Sequence, residues 1–382
     1  MTASKPSPKS TKAASSGPPA SSAKRIAVIP GDGIGPDVIA EATKVLRAVT
    51  TEAGGRLEFV EFDWGADRFL RDGTTLPAGA EEELRRDFDA ILFGAMGDPR
   101  VPSNKHATDI LFGLRFKLDL FVNARPIELL DRNLTPLRDR AEDDIRFIVM
   151  RENTEGLYVG VGGFFKKGTP DEVAVQEDVN TRKGVERIVR YAYEYARKHK
   201  LTRVCMSDKS NAMTYGHDLW QRVFAEVRKE YAGIESRHLY IDTMAMELVR
   251  DPRQFQVIVT CNLFGNILSD LGAQLAGGLG LSPSGNINPE STSLFEPVHG
   301  SAPNIAGKGI ANPLGAVLTA GMMVEHLGWM DAAAAIRAAV RAAVREKQTT
   351  PDLGGPLLTR QAGDWVANYV AKHGVARAGS PS

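Results

Sequence analysis

Three arginines, Arg115, Arg125 and Arg151, lie within 37 positions of one another, Tyr158 follows the third by seven residues, and Lys209 stands in Ser207-Asp-Lys-Ser-Asn211. Guanidinium forks bind carboxylates bidentately, so three that converged would take a substrate with more than one carboxylate. Tyr158 and Lys209 would supply a proton donor and a proton acceptor. Each residue alone has a plainer reading: surface ion-pair arginine, core tyrosine, solvated lysine. Further on stands Asn262-Leu-Phe-Gly-Asn266-Ile-Leu-Ser-Asp270. A helix beginning near Gly265 would put Asn266 and Asp270 on one face, with oxygen donors a turn apart. That suits Mg²⁺ or Mn²⁺, although a neutral amide oxygen holds such a cation less well than a carboxylate. In isolation the stretch is a polar helix start with an exposed aspartate.

The elements that must position these groups alternate. Ile26–Ile29 reads as a strand, Pro36–Val49 as a helix, Leu57–Phe62 as a strand, Ala80–Phe88 as a helix and Ala90–Phe93 as a strand. Arg146–Met150 is a further strand. Helices follow at Gly184–Lys198, which carries Val185, Ile188, Val189, Ala192 and Ala196 on one face, and near Pro313–Leu327 and Asp331–Lys347. This is an α/β pattern with open sheets, without an internal repeat. Pro30-Gly-Asp-Gly-Ile-Gly-Pro36 follows a strand and opens a helix, where a Rossmann fingerprint would stand, but Pro36 occupies the place of the third glycine. The turn is either a tight glycine bend with proline in the first helical turn or part of a cofactor cleft.

The 382 residues suffice for two domains, and 47 basic residues balance 47 acidic ones. Such a chain has no basic face for nucleic acid and no polybasic run for a membrane. The apolar stretch Leu314–Val324 is far below the roughly 20 residues that cross a bilayer. Cys205 and Cys261, each ending a β-like run, read as buried thiols of a reducing compartment. Residues 1–24, rich in Ser, Pro, Ala and Lys, and residues 371–382 read as tails, the first of them disordered. With neither a secretory signal nor an Arg-rich leader, a cytoplasmic protein is expected.

Taken in order, Gly31–Pro36, Leu114-Arg115 to Arg125-Pro126, Arg151 to Tyr158, Asp208-Lys209-Ser-Asn211, Tyr240-Ile-Asp242, Asn262 to Asp270, and Glu296-Pro-Val-His-Gly-Ser-Ala-Pro303 to Asn312-Pro313 resemble the β-decarboxylating dehydrogenases, the isocitrate/isopropylmalate dehydrogenase family. The resemblance covers residues 25 to 370. It implies a two-domain fold of open α/β sheets with a cofactor site unlike a Rossmann site. One domain, residues 25–121 plus 277–370, would carry most of the cofactor site; the other, 122–276, would carry dimer contacts and substrate groups, with the active site in the cleft between them. It implies oxidation of a 2-hydroxy-3-carboxy acid by NAD, followed by decarboxylation. Arg115, Arg125 and Arg151, with Asn211, would hold the substrate, Lys209 would take the C2 hydroxyl proton, and Tyr158 would protonate the enolate. Asp242, Asn266 and Asp270 map onto the metal ligands, with Asn266 where the family has a carboxylate. Glu296, His299, Gly300, Ser301, Ala302, Pro303, Asn304, Ile305 and Asn312 correspond to adenosine-binding elements. Asn304 in place of an acidic residue, followed by Ile305, implies NAD with relaxed discrimination against NADP. Lys209 and Asp242 would reach into the partner's site, so a homodimer is expected.

Leu111 and Phe112, just ahead of Arg115, give an apolar wall that suits an alkyl group better than a further carboxylate, since a buried unpaired charge costs several kcal/mol. That points to 3-isopropylmalate and leucine biosynthesis. Thr108 departs from the isopropylmalate pattern, and D-malate, tartrate, isocitrate and homoisocitrate remain alternatives within the family. A non-catalytic or regulatory subunit is the alternative of another class, because positions 266 and 304 both carry amides.

Overall fold

The computed structural model describes residues 23–53 and 55–374. Most of the two tails therefore lies outside the described residues. The mixed α/β fold expected from the sequence is present, and ten of its strands join one sheet. Twelve strands form among the described residues: β1 Lys24–Gly31, β2 Leu57–Glu61, β3 Ala90–Ala95, β4 Val122–Glu128, β5 Arg146–Glu152, β6 Gly162–Phe165, β7 Val173–Gln176, β8 Arg203–Asp208, β9 Glu235–Tyr240, β10 Val257–Thr260, β11 Pro283–Ile287 and β12 Ser293–Pro297. Ten of them make a sheet in the order β2-β1-β3-β12-β11-β4-β5-β10-β8-β9, while β6 and β7 pair as a separate hairpin. One half of the sheet, from β2 to β11, comes from the two ends of the described chain, and the other half from its middle. Both halves end in parallel pairs; the inner strands β1, β3, β8 and β10 are largely buried because helices cover their faces, whereas the edge strands β2 and β9 are partly exposed.

Helices Gly35–Ala53, Leu314–His326, Met330–Arg345 and Thr359–His373 contribute to the core of the first half, with Ile39, Leu46, Val317, Ile336 and Val366 inside it. The last of these helices passes residue 370 and stops at Gly374, whose φ is +67°. In the second half, helices Arg182–Lys198 and Gly216–Val227 lie on the face that carries Val122 and Ala124. Helices Ile241–Arg250 and Asn262–Leu275 lie on the face that carries Ile127 and Val149. The latter helix starts at Asn262 instead of near Gly265, because Gly265 N–H already donates to Cys261 O and closes the first turn. No helix among the described residues is long and apolar enough to cross a membrane.

The two halves meet where β11 runs antiparallel to β4. Buried side-chain hydrogen bonds cross that seam. Asn286 Oδ1 accepts from Asn123 Nδ2 at 3.1 Å and Asn153 Nδ2 at 2.9 Å across it, while on its own side Asn286 Nδ2 donates to Glu296 Oε1 at 2.8 Å. Each such bond contributes about 1 kcal/mol net but costs more when one buried partner is left alone.

The glycine turn after β1 is a packing hub. Asp32 accepts from Ala66 N–H and Gly97 N–H and lies 2.8 Å from His106 Nε2, tying β1 to the segment that leads towards Arg115. Ile34 N–H donates to Ser301 O, and a Cβ on Gly33, whose φ is +59°, would stand 2.1 Å from that same oxygen. The motif thus shapes the loop at His299–Pro303. Gly33→Ala should displace that loop, lowering the unfolding midpoint and raising KM for the nicotinamide cofactor that the resemblance implies at least several-fold. Calorimetry and cofactor titration check this; unchanged values in both would remove the contact from the account.

Candidate active site

Arg125 and Arg151 come from neighbouring antiparallel strands. Arg151 pairs with Asn123, which makes Arg125 its diagonal neighbour on the same face. Helix Asn262–Leu275 lies across that face. It approaches closely because residue 265 is glycine: a Cβ there would sit 2.5 Å from Arg151 Cβ. The helix presents a polar stripe to the guanidiniums. Asn262 Oδ1 accepts from Arg151 Nε at 2.9 Å and Nη2 at 2.7 Å. Asn266 Oδ1 accepts from Arg151 Nη1 at 2.8 Å and Arg125 Nη1 at 3.2 Å. Ser269 Oγ accepts from Arg125 at 2.8 Å, and Asp270 Oδ1 lies 3.3 Å from the same nitrogen.

Arg115 arrives from the other half. The segment before it, Thr108–Phe112, is wound as a π-helix, an irregularity that often marks functional positions. Arg115 Nη2 donates to Glu296 Oε1 at 2.8 Å, so Glu296, expected at the adenosine end, has its carboxylate beside the arginines. Phe112 lies beneath the Arg115 guanidinium, 5.5 Å from ring centre to Cζ, and meets Tyr158 edge-on at 5.9 Å. The Tyr158 ring in turn faces Arg151 at 5.3 Å. Leu111, the other wall residue, packs against the core cluster containing Ile110 and Leu114.

All three arginines are buried, at 6% exposure or less. Burial, then the Arg115 charge, pushes Arg125 down to about 10. Burial followed by the charges of Arg125 and Arg115 lowers Arg151 well below the ordinary arginine value. Two carboxylates, Glu296 and Asp270, face three guanidiniums, and the excess positive charge favours an anion.

Lys209 and Asp242 form a separate pair, Nζ to Oδ1 2.8 Å, at the ends of β8 and β9. The Lys209 hydrogen bond holds the Asp242 carboxyl below the usual range. Lys209 N–H donates to the buried His217 Nδ1, a positioning contact that sequence reasoning missed. No hydrogen bond or ion pair among the described residues joins this pair to Arg115, Arg125, Arg151 or Tyr158. Asn211 lies exposed beyond it. No group of three His, Cys, Asp or Glu side chains suited to a metal occurs among the described residues.

In the loop after β12, Ala302 has φ +41°, a strained value for a residue with a Cβ. His299 Nδ1 lies 3.0 Å from Gly300 O, while its Nε2 is buried without a partner. Gly300, Pro303 and Asn304 are exposed, Ser301 is buried, and Ile305 packs on the first core. Asn312 is committed internally: Oδ1 accepts from Leu314 N–H at the start of its helix and Nδ2 donates to Asp352. A cavity of ≈ 1290 Å³ lies elsewhere. Its lining includes Pro126, Tyr191, Tyr195, Met322 and Arg337, and strand alternation puts Pro126 on the face opposite Arg125.

Sequence reasoning also missed Asn262, Ser269 and Asn286. Residues 262, 266 and 269 follow helical spacing, a polar stripe that was readable; Asn286 had no such signal.

Glu152, beside Arg151, accepts from Thr154 N–H, Thr154 Oγ1 and Glu155 N–H, which fixes the turn that leads to Tyr158. Arg187 Nη2 stands 3.8 Å away. Burial raises its pKa to about 7. A carboxyl raised in the folded state contributes stability that is fully present below the ordinary glutamate pKa and lost as pH rises through 7. The loss should approach about 3 kcal/mol between pH 4.5 and 8. Denaturant titration of Glu152→Gln should therefore show a flatter stability profile than wild type over that window; parallel profiles would mean Glu152 does not titrate there.

The chain was compared with known proteins. Residues 25–366 match the family model described as isocitrate/isopropylmalate dehydrogenase. A 3-isopropylmalate dehydrogenase of Thermobifida fusca is 49% identical over 352 residues, covering 92% of this chain and 98% of that protein. One from Streptomyces griseus is 46% identical over 344 residues, covering 88% and 98%. Among solved structures, isocitrate dehydrogenase from Methylococcus capsulatus superposes with a TM-score of 0.82 at 37% identity, covering 91% of this chain and 99% of that one. A β-decarboxylating dehydrogenase from Thermococcus kodakarensis gives 0.75 at 40% identity, covering 91% and 96%. On the matched length and the shared fold, the chain belongs to the isocitrate/isopropylmalate dehydrogenase family.

Proposed function

We propose that this chain is an NAD- and divalent-metal-dependent enzyme that oxidises and decarboxylates 3-isopropylmalate, a step of leucine biosynthesis. The observation that carries the substrate choice is Phe112, whose ring lies against both Arg115 and Tyr158 and lines the arginine site with an apolar surface. An alkyl group is suited to that surface, whereas a third carboxylate would lie against an aromatic ring. The names of the 49% and 46% identical relatives agree with it.

The roles follow from the chain's own groups. Arg115, Arg125 and Arg151 hold the two carboxylates and fix the C2 carbon. Lys209 of the partner subunit takes the C2 hydroxyl proton as the C2 hydrogen leaves as hydride. When the bond from C3 to its carboxylate breaks, the electron pair stays on the substrate as an enolate, and the Tyr158 hydroxyl returns a proton to C3. Bound Mg²⁺ or Mn²⁺ would supply Lewis-acid polarisation of the C2 oxygen, and bound NAD the hydride acceptor. The donors fit: Asp270 and Asp242 are exposed carboxylates, the hard oxygens such a cation takes. For the nucleotide, the orphaned His299 Nε2 and the exposed Asn304 are free to meet adenosine. Asn304 can hydrogen-bond ribose hydroxyls without repelling a 2′-phosphate, so NADP should be a poorer but usable substitute.

The reading requires two subunits, since Lys209 and Asp242 stand apart from the arginines within one chain. Exposed apolar residues support association: Phe164 and Phe165 on the β6–β7 hairpin, at 61% and 64%, and Met246 and Ile267 on the helices beside Asp242 and Asn266.

Turnover with NAD, Mn²⁺ and a panel of 3-isopropylmalate, D-malate, tartrate, isocitrate and homoisocitrate tests the substrate: 3-isopropylmalate should have the highest kcat/KM. Lys209→Met and Tyr158→Phe should each lower kcat by ~10²-fold or more with little change in KM. Mixed and reassociated, these two inactive variants should regain roughly a quarter of wild-type activity, because each mixed dimer has one intact shared site. No recovery would place both groups within one chain's site.

A further inference from the structure

Asn266 occupies the position of a metal carboxylate in the resemblance, yet its surroundings are those of a residue serving the substrate. Its Oδ1 accepts from Arg151 Nη1 at 2.8 Å and from Arg125 Nη1 at 3.2 Å. An amide oxygen has two lone pairs, and both are engaged. Its Nδ2 faces Asp270 Oδ2 at 3.5 Å. Turning the amide over would set its N–H donors against two guanidiniums and its oxygen against a carboxylate, so the neighbours fix the orientation. The only other atom the side chain could offer a cation is a nitrogen that carries two hydrogens. A cation near Oδ1 would also stand within a few ångströms of two buried positive charges.

Asp270 is different. Its side chain is 44% exposed and its only charged partner among the described residues is Arg125 at 3.3 Å, so it keeps oxygen lone pairs for a ligand. The two residues, one helical turn apart, are thus divided: the amide turns to the arginines and the carboxylate to solvent. Replacing a carboxylate at 266 by an amide also leaves the three guanidiniums facing only Glu296 and Asp270, which raises the attraction for a dianion.

We propose that Asn266 is a positioning residue for the substrate, bridging Arg125 and Arg151 so that their remaining N–H groups are held at a fixed spacing, and that it does not ligate the divalent cation. This rests on the reading of the arginines as the carboxylate site. The cation is then held on this helix by Asp270 alone.

Two measurements on the full-length protein test this. The first is Mn²⁺ binding, read from the electron paramagnetic resonance signal of free Mn²⁺ in the absence of substrate and nucleotide. Asp270→Asn should weaken it at least tenfold, and Asn266→Ala should change it less than twofold. An Asn266→Ala loss equal to that of Asp270→Asn would overturn the proposal. The second is calorimetric binding of 3-isopropylmalate in EDTA. Asn266→Ala should weaken it at least fivefold, and Asn266→Asp, which keeps the shape but adds a negative charge between the arginines, at least tenfold. Unchanged affinity in Asn266→Asp would overturn the bridging role, and this near-isosteric variant keeps the test decisive if the alanine variant does not fold. Because the Mn²⁺ experiment needs no substrate, a wrong substrate assignment would show as wild-type protein that binds Mn²⁺ but not 3-isopropylmalate.

Discussion

Three guanidiniums are buried together, and most of what surrounds them can be understood as the means of tolerating that. Burial and mutual repulsion lower the proton affinity of both Arg125 and Arg151. Uncompensated burial of even one such charge costs several kcal/mol. The fold offsets this with acceptors placed one by one: Glu296 on Arg115, Asn262 and Asn266 on Arg151, and Ser269, Asn266 and Asp270 on Arg125. Four of these five residues lie on a single helix, and Gly265 lets that helix come close enough to reach. The offset is incomplete, and a dicarboxylate would complete it. Substrate affinity thereby follows from the same excess of buried positive charge.

That cluster is assembled from both halves of the sheet. Arg125 and Arg151 belong to the half built from the middle of the chain, Arg115 and Glu296 to the half built from its ends. The asparagine bridge across the β11–β4 seam connects them, since Glu296 Oε1 receives both Arg115 and Asn286, and Asn286 receives Asn123 and Asn153. Because these groups are buried, shifting one half against the other would leave donors and acceptors unpaired. The seam therefore sets the distance between Arg115 and the other two arginines.

Much of this was legible in the residues. The alternation of strands and helices followed from hydrophobic periodicity, with most element ends within a few residues, and the three arginines and Tyr158 do come together. The single continuous sheet was not legible, because the antiparallel pairing of β11 with β4 joins Ala124 to Gly285 across 161 positions and no local pattern signals it. The separation of Lys209 and Asp242 from the arginines depends on strand order, which only the fold shows. Glu296 was grouped with its neighbours in sequence, whereas strand alternation turns it towards Arg115. The environment of Asn266 was hidden for a related reason: spacing put it on a face with Asp270 but could not show which strand that face covers.

The central claim is that the buried arginines carry an excess of positive charge that two carboxylates together offset. The most direct test is the unfolding midpoint of the metal-free, nucleotide-free protein titrated with 3-isopropylmalate and, separately, with 2-hydroxyisocaproate, which keeps a branched alkyl chain and hydroxyl but has one carboxylate. The account predicts a rise of several degrees with the dicarboxylate that saturates and weakens with added salt, and little change with the monocarboxylate at the same concentration. Equal shifts with both, or none with either, would contradict it.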